Sequence, residues 1–340
     1  MDDNCDDAKK TGLDPRPLPS KRPQLMVCAV LTAIAVVGLA LGLGLGLGLK
    51  HGQGEGTPGP SPSATHSPAP SPTALWQPAV NVSWQIVLNQ ALAVDDTSST
   101  VEPDVEVFDI DMFLHQNTSV VKNLHRLGKK VICYFSAGTY EPNRPDSSQF
   151  QSSDQGKALE LWPDERWLNL SSPSVRSIMV SRIQIASDMG CDAIDPDNVD
   201  GYQWNNNGLD LTSIDSIKFV KFLTREANKR NLSVGLKNAD DIITDVLSYV
   251  QFAVNEECAD TETSKSGDTC QLTAKFIQAS KPVFHIEYPA SAPTVSSSDS
   301  KAACSAPDST NFSTVLKTMD LSGWVEFCNG QTANTSVVSG

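Results

Sequence analysis

Eight short runs rich in β-branched and aromatic residues recur between residues 84 and 327, and several of the intervals between them carry helix signals. The runs are Trp84–Leu88, Val105–Ile110, Lys130–Phe135, Asp192–Asp195, Ser233–Leu236, Val250–Val254, Lys281–Ile286 and Gly323–Phe327. Pro282 falls at the start of the seventh, where a missing N–H is tolerated. Ser119–Leu127 is amphipathic and ends at Gly128, while Ser174–Met189 follows Ser172-Pro173 and stops at Gly190. Ser216–Arg230 and Asp240–Leu247 read as helices by the same logic. Strands separated by helices of this length pair in parallel. Eight such units in roughly 250 residues predict an α/β chain closed into a (β/α)8 TIM-type barrel. An open doubly wound sheet would need a glycine fingerprint that the sequence lacks.

The chain ahead of this domain obeys different physics. Leu25–Leu49 has no charged residue, Thr32 is its only conventionally polar side chain, and its length suits a ~30 Å hydrocarbon core. It starts too late and runs too long for a cleaved signal peptide. Lys9, Lys10, Arg16, Lys21 and Arg22 precede it and only Lys50 follows closely, which predicts a cytosolic N-terminus and a lumenal or extracellular bulk; the expected location is the plasma membrane, with the domain extracellular. Gly38, Gly42 and Gly46, spaced by four, offer a face for an anchor-mediated dimer, although a plain low-complexity anchor is the preferred reading. Residues 50–75, rich in Gly, Pro, Ser and Thr, read as a stalk. The expected layout is a tail over 1–24, a signal anchor over 25–49, the stalk, a barrel over 76–329 and a polar tail over 330–340.

Features beyond the anchor fit an oxidising compartment. Glycosylation sequons begin at Asn81, Asn117, Asn169, Asn231, Asn311 and Asn334. Cys258 with Cys270 and Cys304 with Cys328 are the expected disulfides, whereas Cys133 and Cys191 read as buried thiols beside strands, with their pairing left open by spacing alone. No Cys/His spacing points to zinc, no nucleotide loop is present, and no cofactor is expected. The whole chain has 40 acidic and 26 basic residues; with five acids and six bases in the first fifty, residues 51–340 hold 35 against 20. Such a field repels nucleic acid and anionic sugars and favours cationic ligands.

In a barrel of this kind, reacting groups lie where strands end. The strand exits are acidic here: Asp109 and Asp111 on the second, Asp195, Asp197 and Asp200 around the fourth, Glu256 and Glu257 on the sixth, and Glu287 on the seventh. Ser136, Asn198, Lys237 and Asn238 occupy similar positions. Asp195 and Asp197 share one strand face. Two carboxylates flanking a bond are what glycoside hydrolysis requires, one giving a proton to the leaving oxygen and the other attacking the sugar or activating water. Tyr134, Trp162, Trp204 and Tyr288 could stack on pyranose faces, and a protonated amino sugar would add cation–π attraction. Asp195-x-Asp197 with Asp200-Gly201 imitates a calcium loop, but Val199 and Asn206 occupy ligand positions and the glycine falls one place late. No G-x-S-x-G element supports serine-hydrolase chemistry.

The strings Cys133-Tyr134-Phe135-Ser136-Ala137-Gly138, Gly190-Cys191-Asp192-Ala193-Ile194-Asp195-Pro196-Asp197-Asn198-Val199-Asp200-Gly201, Gly235-Leu236-Lys237-Asn238, Asn255-Glu256 and His285-Ile286-Glu287-Tyr288-Pro289 together resemble glycoside hydrolase family 114. The likeness runs from about Trp84 to Phe327. The anchor and stalk resemble the layout of fungal membrane-bound members. The resemblance implies a (β/α)8 barrel with endo-α-1,4-polygalactosaminidase activity on the de-N-acetylated stretches of galactosaminogalactan. It also implies an acid pair on the fourth and sixth strands, which maps onto Asp197 as nucleophile and Glu256 as acid/base. Asp195 and Glu257 are the competing positions. Asp109, Asp111, Asp195 and Asp200 would form an acidic wall for protonated amines, with Lys237 as its odd cation. A separation of ~5–5.5 Å would fit a retaining mechanism and ~6.5–9.5 Å an inverting one. A catalytically silent carbohydrate-binding barrel and an α-galactosidase-like hydrolase of a neutral polymer are the alternatives.

Overall fold

The computed structural model describes residues 75–204, 206–259 and 269–338. The tail, the apolar span with its glycine spacing and residues 50–74 of the stalk lie outside the described residues. Among the described residues, no helix is long and apolar enough to cross a membrane.

Ten strands form one sheet in chain order: β1 (Trp84–Val87), β2 (Val107–Asp111), β3 (Lys130–Ser136), β4 (Ala193–Asp197), β5 (Ser233–Lys237), β6 (Phe252–Glu256), β7 (Val283–Glu287), β8 (Ser313–Leu316), β9 (Trp324–Phe327) and β10 (Thr332–Asn334). Neighbours from β1 to β8 are all parallel, and β9 and β10 are added antiparallel. The sheet curls until its first strand reaches its eighth. The Trp84 indole donates to the Ser313 carbonyl at 2.6 Å, and the Leu88 amide donates to Leu321 at 3.0 Å. The architecture is thus an α/β barrel-like sheet. Residues 88–106, between β1 and β2, form no helix.

Alternation along the strands sorts side chains into two cores. Trp84, Ile86, Val107, Ile132, Ala193, Phe252, Val254, Phe284, Ile286 and Val315 pack on the inner face, and Phe284 meets Trp84 at 4.9 Å and Phe252 at 5.3 Å between ring centroids. The outer face packs against helices. One of these, α1 (Pro173–Met189), has its start set by Ser172, whose hydroxyl accepts from the Ser174 and Val175 amides, and by Pro173 in the first turn. It ends at Gly190, whose φ of 84° only glycine adopts without strain. α2 (Ser213–Asn228) begins three residues earlier than the periodicity suggests. Thr212 and Asp215 form a capping box there that fixes the start.

Three expectations need correcting. Gly323–Phe327 is not the eighth parallel strand. That place belongs to β8, and only residues 317–323 separate β8 from β9. A parallel crossover needs a dozen residues or more, so β9 has to return as a hairpin partner. The polar tail is part of the sheet: β10 pairs with β9, Leu92 bridges Val337, and the Val338 amide donates to Ala91 at 2.8 Å. Cys133 and Cys191 are not free thiols but a disulfide linking β3 to the residue that follows the Gly190 stop of α1. The pairs Cys258–Cys270 and Cys304–Cys328 form as expected.

Candidate active site

Side chains that project inward at the carboxyl ends of β3 to β7 converge on one point. Asp197, the last residue of β4, accepts from the Tyr134 hydroxyl at 3.0 Å and contacts the Lys237 ammonium at 3.2 Å through Oδ2. Its Oδ1 accepts the Asn198 amide at 2.6 Å. Glu256, the last residue of β6, meets the same ammonium at 2.8 Å through Oε2. The Asn238 side chain brackets Glu256, donating to its Oε2 at 3.0 Å and accepting its backbone amide at 3.0 Å. Tyr288 donates to Oε1 at 2.5 Å. One ammonium therefore bridges both carboxylates, and the sum of its two contacts bounds those oxygens to within 6.0 Å of each other.

The local backbone explains how Asp197 is aimed. Asn198 takes a left-handed φ of 59°, and its side-chain amide donates to Ser136 Oγ at 2.9 Å. Ala137 and Gly138 donate their amides to the Asp197 carbonyl at 2.9 and 3.0 Å. A Cβ at Gly138 would lie 1.7 Å from the Asn198 carbonyl oxygen, so only glycine permits this approach.

Electrostatics differ sharply within the cluster. Burial pushes Glu256 upward, but the Lys237 charge and hydrogen bonds from Lys237, Tyr288 and Asn238 outweigh it and hold the carboxyl at about 2. Burial opposes the charge of Lys237, yet Asp197, Glu256 and Asp195 drive its pKa well above the usual lysine value. Burial, followed by nearby carboxylates, raises Tyr134 and Tyr288, so both phenols stay protonated donors. Asp195 is fully buried; burial outweighs Lys237 and carries it to about 8, with Asp197 and Glu256 adding to the rise. Asp109 is raised by burial first and by Asp195 second.

Not every expected wall residue faces the mouth. Asp109 and Asp195 have no exposed surface, so they form a floor below the pair. Asp111 caps the turn at Leu114 through a 2.9 Å bond and carries Arg144 at 2.7 Å, so its charge is already matched. Glu287 is buried against His285 at 2.7 Å and accepts the Ala259 amide at 2.8 Å, which ties β7 to the Cys258–Cys270 segment. Asp200 is half-buried in the turn after β4, and Trp204 packs on Trp167 at 6.0 Å between centroids. Glu257 follows Glu256 with a left-handed φ of 57°, and its amide donates to Ile286 at 2.9 Å. Cys258, Cys270 and His285 have donor atoms within 4.8 Å of one another, but the two sulfurs are bonded together and supply no thiolate pair for a cation.

One neighbour has no sequence signature. A three-stranded sheet of Thr139–Tyr140, Gln155–Ala158 and Arg166–Leu168 is inserted between β3 and α1. It carries half-buried Glu165 to within 2.8 Å of the Thr139 hydroxyl, which itself contacts Ser136 at 2.5 Å. Burial lifts Glu165 to about 7. Only the unusual length of the β3–α1 interval hints at such an insertion.

These shifts set a pH dependence of stability. Asp240 at about 6, Glu165 at about 7 and Asp195 at about 8 all exceed their ordinary values of 3.8 to 4.5, in each case chiefly through burial. The fold keeps these protons while the unfolded chain sheds them. Their contribution is therefore complete below about pH 4 and is lost as pH rises through 6 to 8. Buried Lys317, lowered to about 7, acts in the opposite sense above pH 7, and Glu256 costs stability only as pH falls toward about 2. The thermal midpoint is expected to be higher near pH 5 than near pH 8; the reverse order in calorimetry would contradict the shifts.

The chain and its fold are similar to those of known glycoside hydrolases. The model of glycoside-hydrolase family GH114 matches residues 65–333. The crystal structure of Aspergillus fumigatus Ega3 in complex with galactosamine is 51% identical, covering 76% of this chain and 100% of that one, with a TM-score of 0.68. The glycoside hydrolase domain of PelA from Pseudomonas aeruginosa shares the fold at 12% identity, with 70% and 95% coverage and a TM-score of 0.54. No curated protein matches significantly in sequence.

Proposed function

This chain belongs to glycoside-hydrolase family GH114, and we propose that it cuts a cationic exopolysaccharide, galactosaminogalactan, internally at α-1,4-linked galactosamine, using Asp197 and Glu256. The chain is a glycoside hydrolase; the observation that supports this substrate is the single ammonium held between two carboxylates at the barrel mouth. A protonated galactosamine presents the same group. The acidic balance of residues 51–340 and the galactosamine-bound relative point the same way. Full closure into a (β/α)8 barrel is supported by the Trp84–Ser313 and Leu88–Leu321 bonds.

In this reading Asp197 attacks the anomeric carbon while Glu256 gives a proton to the departing oxygen. Water then releases the sugar from Asp197 as Glu256 takes the proton back. The 6.0 Å bound on the bridged oxygens falls short of the ~6.5–9.5 Å that leaves room for an inverting water, which favours retention. The full chain should cut deacetylated α-1,4-galactosamine oligomers at internal bonds and leave fully acetylated ones intact. Equal cleavage of both would overturn the cationic substrate. Tight binding with no cleavage of either would favour a silent carbohydrate-binding barrel.

Placement outside the plasma membrane on a Leu25–Leu49 anchor rests on the apolar run and its basic flank. A glycosylated surface is supported by exposure of Asn81, Asn117, Asn231, Asn311 and Asn334, with Asn169 half-buried. Alkaline extraction should leave the full chain in the membrane pellet, and N-glycanase should lower its mass. A soluble, unshifted chain would refute both.

A further inference from the structure

Glu256 is held in the wrong state for an acid. Its Oε2 is occupied by the Lys237 ammonium at 2.8 Å and the Asn238 amide at 3.0 Å, and its Oε1 by the Tyr288 hydroxyl at 2.5 Å. A carboxyl so surrounded stays an anion, whereas donation to a leaving oxygen requires a proton on it. Between the free enzyme and the reacting complex, the ammonium has to withdraw from Glu256.

The fold supplies a place for it. Lys237 is only 4% exposed and points into the barrel rather than out of it. Two residues before Asp197, on the same face of β4, lies Asp195; across the interior on β2 lies Asp109. Both are fully buried, and all four of their carboxyl oxygens lack a hydrogen-bond partner. Buried polar atoms without partners are uncommon because each costs free energy. Here they lie within electrostatic reach of the buried Lys237 ammonium.

We propose that Asp195, with Asp109 behind it, is the second seat of the Lys237 ammonium, which moves there when the protonated amine of a galactosamine unit takes over its contact with Asp197, leaving Glu256 without a cation. This makes Asp195 a positioning residue, and it rests on reading Asp197 and Glu256 as the reacting pair and on a cationic substrate. The protons balance. In the free enzyme Asp195 carries a proton and Glu256 does not. When the ammonium arrives, Asp195 gives up its proton, and Glu256, relieved of the cation, gains one. Net charge is unchanged apart from the substrate's own. The charged and titratable groups facing Lys237 are Asp195 and Asp197 from β4, Glu256 from β6, Asp109 from β2, Tyr134 from β3 and Tyr288 beyond β7. Within this set Asp195 and Asp109 alone have both oxygens without a partner, and of the two Asp195 shares a strand face with Asp197.

The test compares kcat against pH for the full chain and its Asp195→Asn, Lys237→Met and doubly substituted forms, on deacetylated galactosamine oligomers. Asp195→Asn should lower kcat by about ten-fold or more, part of the ~10²–10⁴ that acid catalysis supplies. Its alkaline limb should move to lower pH, because the lysine stays on Glu256. Adding Lys237→Met should restore kcat relative to Asp195→Asn alone, a non-additive result that general damage to the fold would not give. An unchanged kcat and pH profile in Asp195→Asn, or a loss that Lys237→Met does not relieve, overturns the second seat. Asp197→Asn and Glu256→Gln run alongside: activity in both would instead overturn the reading of the acid pair. If Asp195→Asn does not fold, a crystal structure of the unsubstituted protein with a sulfur-linked galactosamine oligomer decides. Lys237 Nζ in hydrogen-bond contact with Asp195 supports the proposal, and Nζ still bridging Asp197 and Glu256 refutes it.

Discussion

Asp197→Ala and Glu256→Ala are each expected to lose about a thousand-fold or more in kcat and to answer azide in opposite ways. Both side chains meet one ammonium at the mouth, and neither is spare: Asp197 also receives Tyr134, and Glu256 also receives Asn238 and Tyr288. Without the nucleophile, azide attacks the anomeric carbon from the face opposite the leaving group, so Asp197→Ala should yield a β-glycosyl azide from an α-linked substrate. Without the acid/base, the first step needs a leaving group that requires no proton. Azide then replaces water in the second step, so Glu256→Ala should yield the α-azide from an activated substrate. Product anomers read by NMR check the assignment. Exchange of the two anomers between the variants would swap the roles, and near-normal activity in either variant would remove that residue from the chemistry.

The ends of elements were legible where a residue's local chemistry decides them. Ser172-Pro173 and Gly190 bracket α1 because a hydroxyl acceptor, a fixed φ and a left-handed stop act within a few residues. The alternation that puts Asp195 and Asp197 on one face was equally local. Depth was not. Nothing in Asp-Pro-Asp says that the first carboxyl is sealed inside the barrel and the second reaches its mouth, since that depends on how far neighbouring strands extend beside them. The same limit hid the partners of Asp111 and Glu287, because Arg144 lies 33 residues beyond Asp111 and His285 meets Glu287 on the outer face of β7, opposite Phe284 and Ile286. β8 carries a weak local signal because Ser313–Leu316 is four residues long and begins inside a sequon, while the run downstream at Gly323–Phe327 is richer in β-forming residues. The Cys133–Cys191 bridge spans 58 residues, and spacing carries no information about which cysteines the sheet brings together.

Arg182→Met is expected to cost about 3–5 kcal/mol of stability, the usual penalty for stranding one partner of a buried ion pair. Arg182 projects from α1 with no exposed surface, its Nε and Nη2 each 2.8 Å from an Asp146 oxygen and its Nη1 2.5 Å from the Ser136 carbonyl. The rings of Phe113 and Phe150 lie 5.0 and 5.4 Å from the guanidinium carbon, so water has little access to replace it. Methionine fills much of the volume but leaves the Asp146 carboxylate and a strand-end carbonyl unpaired. The damage should also reach the site. Ser136 ends β3, its hydroxyl receives the Asn198 amide, and the Asn198 backbone holds Asp197. A fall in kcat is therefore expected even at temperatures where the variant is fully folded. Adding Asp146→Leu should recover much of the stability, since two apolar side chains strand no charge, while the Ser136 carbonyl remains unpaired and kcat recovers less. Denaturant titration of the three variants checks the first part. A loss below about 1 kcal/mol in Arg182→Met would show that the pair is solvated and that the end of β3 is held by something else.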